Sequence, residues 1–265
     1  MDPDSYGYLR VEIADRIAFI ELNRPEKLNA CRDTDHAELS RALRDIQLDD
    51  QIACAIVTGA GRAFCAGGDY SLVEASASNP QARLRTLDEA RSMVLAHLDL
   101  EKPIIAAING VAAGAGAAFA LLCDFTIAER SARIADAHVP IGLAAGDGGV
   151  MTWPLAVGMA KAKRYLLTGD FVSAEEAERI GLITEVVDDG ESVNAARALA
   201  ARLVALPETA LRYTKRALNQ HLRDVTKTFE LSLALEMLSK DSGDAALAMA
   251  RVRSKQERAA NKRSG

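Results

Sequence analysis

Apolar residues recur along this 265-residue chain with two alternating periods, and the alternation stops near residue 190. Residues 11–22 (VEIADRIAFIEL) hold two strand-like runs joined at Ala14-Asp15-Arg16. Residues 34–48 place Ala37, Ala42, Leu43 and Ile46 at helical spacing. Residues 52–58 (IACAIVT) read as a buried strand ending at Gly59-Ala60-Gly61. A helix is predicted over 82–98, a strand over 104–108, a helix over 112–122, short strands over 125–128 and 133–135, and one more strand over 182–187. Further helices are predicted at 150–167, 174–180, 191–205, 207–220, 224–239 and 243–258, with Ser173 and Glu176 spaced as a capping box.

Strands alternating with helices, followed by helices alone, predict an α/β core over 1–195 and a helical region over 196–265. The tail carries apolar residues (Phe229, Leu231, Leu235, Leu238) among charges, so it packs either on a partner subunit or back on its own core. A hydrophobic content of 49% supports a full core, and a net charge of -5 argues against a general nucleic-acid binder. The apolar stretch 104–123 is broken by Asn109 and glycines and makes a poor membrane span. The acidic start MDPDSYGYLR is unlike a signal peptide. Cys31, Cys54, Cys65 and Cys123 lack metal or redox spacing, which predicts reduced thiols in a cytoplasmic protein.

Three loops could carry chemistry. In residues 103–124, an apolar strand ends at Asn109-Gly110, and Gly114-Ala115-Gly116 opens an apolar helix. A helix N-terminus lined by small residues can hold a phosphate or an oxyanion; close packing of helix on sheet would need the same residues. In residues 62–69 (RAFCAGGD), Gly67-Gly68 permits close approach and the Ala66 N–H could point into a cleft. Two such loops, each after a buried strand, can supply the paired N–H donors of an oxyanion hole. Residues 136–154 (DAHVPIGLAAGDGGVMTWP) hold His138 and Asp147 among glycines. That pair reads either as a general base with its orienting carboxylate or as a core-edge histidine beside a helix-capping aspartate. There is no G-x-S-x-G and no G-x-G-x-x-G, so a nucleophile-elbow hydrolase and a dinucleotide-binding fold are unsupported. His36, His97 and His221 are scattered, with no metal spacing, and no metal is expected. Residues 70–90 read as a mobile loop leading into a helix, placed to shape a pocket.

Together these loops resemble the enoyl-CoA hydratase/isomerase (crotonase) superfamily. Asn23-Arg24-Pro25 with Leu28-Asn29-Ala30, Phe64-Cys65-Ala66-Gly67-Gly68-Asp69, the run from Ile108-Asn109-Gly110 through Gly114-Ala115-Gly116 to Cys123-Asp124, and Leu167-Thr168-Gly169 with Ala174-Glu175-Glu176-Ala177 and Gly181-Leu182-Ile183 fall in the family's order and spacing. The resemblance implies a spiral of ββα units with a C-terminal helical trimerisation region, a homotrimer or dimer of trimers. It also implies an acyl-CoA substrate with no tightly bound cofactor, coenzyme A entering only as part of that substrate. Ala66 and Ala115 would hold the thioester oxygen. Lys27, Leu28, Ala30, Ala66, Gly67, Gly68, Asp69, Gly114 and Trp153 would contact substrate, although Trp153 also reads as a core residue at a helix start.

The departures carry information. Ala118 and His138 stand where family hydratases have two glutamates, and Val252 stands nearest to a usual lysine of the tail. Two-glutamate hydration is therefore not expected, and His138 with Asp147 becomes the acid/base. D-x-H…G-L-x-x-G-D-G-G…W-P resembles a subgroup that includes 6-oxocamphor hydrolase, although its additional active-site histidine has no evident counterpart here. The leading expectation is an acyl-CoA enzyme, nominally a hydratase or isomerase, working through an enolate. The alternatives are a C–C bond hydrolase of a β-diketone and a non-catalytic acyl-CoA-binding subunit.

Overall fold

The computed structural model describes residues 1–32, 34–248, 250, 251 and 254. The chain opens with a hairpin, β1 (Leu9–Ala14) and β2 (Ile17–Leu22), paired antiparallel from Leu9 opposite Leu22 to Ala14 opposite Ile17. Its two turn residues, Asp15 and Arg16, both have positive φ, as a tight hairpin turn with right-handed twist demands. After α1 (Asp35–Leu48) the chain repeats one unit three times: a long parallel strand, a short strand in a second sheet, then helix. The first is β3 (Cys54–Gly59), β4 (Ala63–Cys65), α2 (Tyr70–Ser78) and α3 (Pro80–Asp99). The second is β5 (Ile104–Ile108), β6 (Val111–Ala113) and α4 (Ala115–Leu122). The third is β7 (Phe125–Glu129), β8 (Arg133–Ala135) and α5 (Gly149–Thr168). Then follow β9 (Val172–Ser173), α6 (Ala174–Arg179), β10 (Glu185–Val187), α7 (Ser192–Val204), α8 (Glu208–Asp224) and α9 (Thr226–Ser239). The strands order as β1-β2-β3-β5-β7-β10 in a six-stranded sheet and β4-β6-β8-β9 in a four-stranded one. This is the α/β spiral of ββα units that the resemblance implied.

β3 and β5 are buried on both faces, which is why they read as unbroken apolar runs. Alternate residues face opposite ways. Cys54, Ile56, Ile105 and Ala107 pack on Ala196, Ala200 and Leu203 of α7, while Ala55, Val57, Ile104 and Ala106 join the main core with α1 and α3. The expected boundary at 195/196 therefore falls inside α7, a helix that covers the sheet and belongs with the core. The tail folds back on its own chain through Phe229, Leu233 and Met237 of α9, which pack on Ala90, Val94, Leu122 and Met151. Lys215 of α8 donates to Asp124 Oδ2 at 2.7 Å and to the Lys102 carbonyl at 2.8 Å. The outer side of α9 leaves Leu231, Leu235 and Leu238 exposed.

Two local differences from the sequence reading bear on the site. The helix expected from 112 starts at Ala115, because residues 111–113 pair with β4 and β8 as a three-residue strand. The segment expected as a loop at 70–78 is α2, capped by Asp69. The end of the helix expected over 243–258, and Val252, lie outside the described residues. Among the described residues no helix is long and apolar enough to cross a membrane.

Candidate active site

Small residues bring two backbone turns together. Gly114, the N-cap of α4, has φ 49° and ψ −124°, a conformation hostile to a side chain. It leaves Ala115 as the first helical residue, whose N–H has no acceptor within the helix. Gly67, at φ 97°, faces it; a Cβ there would lie 2.9 Å from the Ala113 carbonyl oxygen. A Cβ on Gly114 would lie 3.8 Å from Gly67 Cα and 3.8 Å from His138 Cε1, so the two turns and the histidine ring converge.

The hydrogen bonds of the first turn correct one expectation. The Ala66 N–H donates to the Leu28 carbonyl at 3.0 Å and is not free for a ligand. Cys31 N–H donates to the Gly67 carbonyl at 2.8 Å and Asp69 N–H to the Cys31 carbonyl at 2.7 Å. Between them the exposed Gly68 N–H has no acceptor among the described residues. Gly68 and Ala115 are thus among the free donors of the two turns, one on each. The Leu28 carbonyl is aimed by consecutive left-handed residues, Leu28 and Asn29, at φ 51° and 56°. Asn29 is fully buried: its Oδ1 accepts from Arg24 N–H at 2.9 Å, and its Nδ2 donates to the carbonyls of Ala60 (2.9 Å) and Ala63 (2.8 Å). Arg24 in turn forms a buried ion pair with Asp35 and donates to the Ala30 carbonyl. The NRP…LNA segment is the brace of the turn.

The third loop supplies side chains. Asp136 follows β8 directly, His138 precedes a 3-10 turn (Val139–Ile141), and Asp147 lies two residues before α5. His138 Nδ1 lies 2.6 Å from Asp136 Oδ1, and its Nε2 lies 3.0 Å from Asp147 Oδ2. The His138–Asp147 contact, which the sequence left open, is present, and Asp136 is a second partner that the sequence reading did not name as one. Carboxylates only accept, so the arrangement calls for an N–H on both ring nitrogens. Burial by itself would lower the pKa of His138, but the charges and hydrogen bonds of Asp136 and Asp147 outweigh it and raise it well above the ordinary imidazole value. Burial pushes Asp147 up, yet the His138 charge and hydrogen bond, helped by His36 and Lys240, bring it down to about 2.

A cavity of about 130 Å³ joins these parts; Ala66, Gly67, Gly68, Gly114, Ala115, His138 and Asp147 all line it. It also holds three residues from remote parts of the chain: His36 on α1, and Glu236 and Lys240 at the end of α9. Glu236 Oε1 lies 3.3 Å from Lys240 Nζ. Burial and the neighbouring Asp147 carry the Glu236 carboxyl up to about 7, against the pull of His138 and Lys240. His138, Asp147 and Glu236 each present a ligand-type atom within 4.8 Å of the others. The Lys240 amine and the carboxylates already on both His138 nitrogens compete with a cation there.

Other expected contacts are corrected. Trp153 is 1% exposed in the main core, tilted against Tyr165 with ring centroids 5.5 Å apart, and does not line the cavity. Asp69 spends its carboxylate capping α2, accepting from Ser71 N–H at 2.9 Å and Ser71 Oγ at 2.7 Å. Leu28 and Ala30 act through their carbonyls on the brace, and Lys27 is exposed outside the cavity wall. Ala118 is a buried methyl in α4, with no proton to exchange.

The enoyl-CoA hydratase/isomerase family pattern matches residues 12–254. A 1,2-epoxyphenylacetyl-CoA isomerase of Escherichia coli (strain K12) is 40% identical over 219 residues, covering 82% of either chain. An (E)-benzylidenesuccinyl-CoA hydratase of Thauera aromatica is 35% identical, covering 78% of this chain and 80% of that one. The crystal structure of an enoyl-CoA hydratase/isomerase from Mycobacterium paratuberculosis superposes with a TM-score of 0.89 at 36% identity, over 92% of this chain and 98% of that one. With two glycine-rich turns meeting over a buried acid/base cluster, this chain belongs to the enoyl-CoA hydratase/isomerase family.

Proposed function

We propose that the enzyme binds an acyl-CoA thioester with its carbonyl oxygen between the N–H groups of Gly68 and Ala115, and that Asp136, His138 and Asp147 relay the proton exchanged with the resulting enolate. The observation that carries this reading is the imidazole held between two carboxylates beside the paired free N–H donors. Each oxyanion donor is typically worth ~3 kcal/mol in the transition state. Both nitrogens of His138 are engaged, so a proton passing to or from substrate travels through Asp147, which lines the cavity; Asp136 does not and fixes the ring from behind. Beside the protonated His138, the ionised Asp147 carboxylate takes the α-proton to form the enolate, and the relay returns a proton to an enolate carbon. Alanine at 118 removes the two-glutamate route to hydration, which favours proton transfer at carbon, as in isomerisation. No tightly bound cofactor is needed. Lys27, exposed and close enough to Asp69 to lower its carboxyl pKa, is placed to meet the coenzyme outside the cavity.

The test is turnover and binding of a panel of enoyl-CoA and 3-oxoacyl-CoA thioesters. Turnover that is lost in His138→Ala supports the reading. Binding without any turnover makes the chain an acyl-CoA-binding subunit, and neither binding nor turnover overturns the reading.

A second reading, hydrolysis of a C–C bond in a β-diketone, is favoured by the polar cavity wall of His36, Glu236 and Lys240. Here the N–H pair would hold the leaving enolate while the relay activates water. Tight binding of coenzyme A thioesters with no diketone cleavage counts against it. For assembly, the groove between α5 and α9 is lined by apolar side chains, with Val139, Met159, Leu167 and Leu235 exposed along it. We propose this face as the site of homotrimer formation; sedimentation of the purified chain as a monomer would refute that.

A further inference from the structure

The relay and the two N–H donors leave part of the cavity wall unused. His36 is 3% exposed, and among the described residues neither of its ring nitrogens has a partner. Glu236 is 4% exposed; Lys240 takes its Oε1, and its Oε2 has no partner. Buried polar atoms are almost always paired, so two orphaned side chains on the wall of one cavity call for a reason. They reach it from opposite ends of the sequence, on α1 and α9.

The surroundings are shaped for the carboxyl. A Cβ on Gly146 would fall 2.1 Å from Glu236 Oε2, so the glycine-rich loop that carries Asp147 also makes room for Glu236. Burial keeps His36 below its ordinary pKa, so its ring is neutral, with one donor and one acceptor to offer. In the absence of substrate, water can pair these atoms; the cavity's 130 Å³ holds about four water volumes. A hydrocarbon chain entering there would displace that water and return no hydrogen bond. An acyl oxygen would return it. His138 and Lys240, the cations on this wall, are already taken by Asp147 and Glu236, which leaves a distal carboxylate no cation of its own.

We propose that His36 and Glu236 form a polar subsite that selects a compact acyl group carrying a neutral oxygen function, a ketone or a hydroxyl, over a plain hydrocarbon acyl group. This rests on the reading of the cavity as an acyl-CoA site. It makes the two side chains specificity determinants that hold the far end of the acyl group while the turns hold the thioester.

The experiment compares dissociation constants of butyryl-CoA, 3-oxobutyryl-CoA and 4-hydroxybutyryl-CoA on the full chain. At least one oxygenated ligand should bind tighter than butyryl-CoA by roughly 10-fold or more, since sites built to pair a polar group reject analogues that lack it. His36→Leu and Glu236→Gln should each shrink that ratio. Should either variant fail to fold, the wild-type ratio decides by itself. Equal binding of all three overturns the subsite and leaves the acyl-CoA reading standing. No binding of any of them overturns the acyl-CoA reading, and the subsite with it.

Discussion

The two halves of the site are built by different means. The half proposed to hold the oxyanion is backbone: Gly67, Gly68, Gly114 and Ala115 contribute conformation and N–H groups, held by a local brace from Arg24 to Asn29. The half proposed to handle protons and the acyl group is side chains, collected from α1, the 136–147 loop and α9 and buried together with their charges. A backbone site needs only that nothing obstruct it, so it accepts Ala115 without change of chemistry. A side-chain site is redefined by each substitution: with alanine at 118, the groups proposed to move a proton are His138 and Asp147, with Asp136 behind the ring.

The largest break in the comparison should come from His138→Ala. It strips the relay of its proton carrier and leaves Asp136 and Asp147 facing each other, and kcat should fall by roughly 10²–10⁴-fold. Steady-state kinetics on whichever thioester the wild type turns over reads this directly, and a loss of only a few-fold would take His138 out of the mechanism. The next largest contrast lies within the backbone half. Gly68→Pro removes the free N–H at a residue whose φ is not positive, and kcat should drop by ~10²–10³-fold with little change in melting temperature. Ala66→Pro removes the N–H bonded to Leu28, so it should first lower the melting temperature. If the two variants exchange behaviours, Ala66 is the donor to substrate after all.

The same contrast explains what could be read in advance. The spiral was legible because β3 and β5 are apolar runs that glycine turns cut cleanly, and His138 with Asp147 was legible because the two lie nine positions apart in one loop. Three-residue strands such as β4 and β6 carry no period to read, so α4 was predicted three residues too long at its start. The choice between Ala66 and Gly68 hangs on where the Leu28 carbonyl points, a matter of two left-handed residues nearly forty positions earlier. His36, Glu236 and Lys240 had no local signal at all. A buried glutamate four residues from a buried lysine looks in sequence like any surface helix pair, and only the packing of α9 against the 136–147 loop turns it inward.

The smallest effect separates the halves by their response to pH. The donors of the backbone half do not titrate, so the pH response of the cavity should come from its side chains. Glu236 faces Asp147, His138 and Lys240, and its pKa in the fold is about 7 against an ordinary 4.5. The folded chain therefore binds the extra proton over that window, and stability falls as pH rises from about 4.5 to 7, by roughly 1–3 kcal/mol. His138 adds in the same direction at higher pH: its contribution is full below about 6.5 and lost as pH rises through its raised value. Asp147 works the other way, contributing above its ordinary value near 4 and losing that contribution as pH falls toward 2. Between pH 4.5 and 7 the melting temperature of the wild type should thus fall relative to that of Glu236→Gln, while buried His36 and His97, both held below the ordinary imidazole value, push the two profiles upward alike. Gly68→Pro should keep the wild-type slope, because it touches only the half without charges. A Glu236→Gln profile parallel to wild type would mean that this carboxyl does not share the buried cluster with Asp147, and the two halves would no longer differ in the way described.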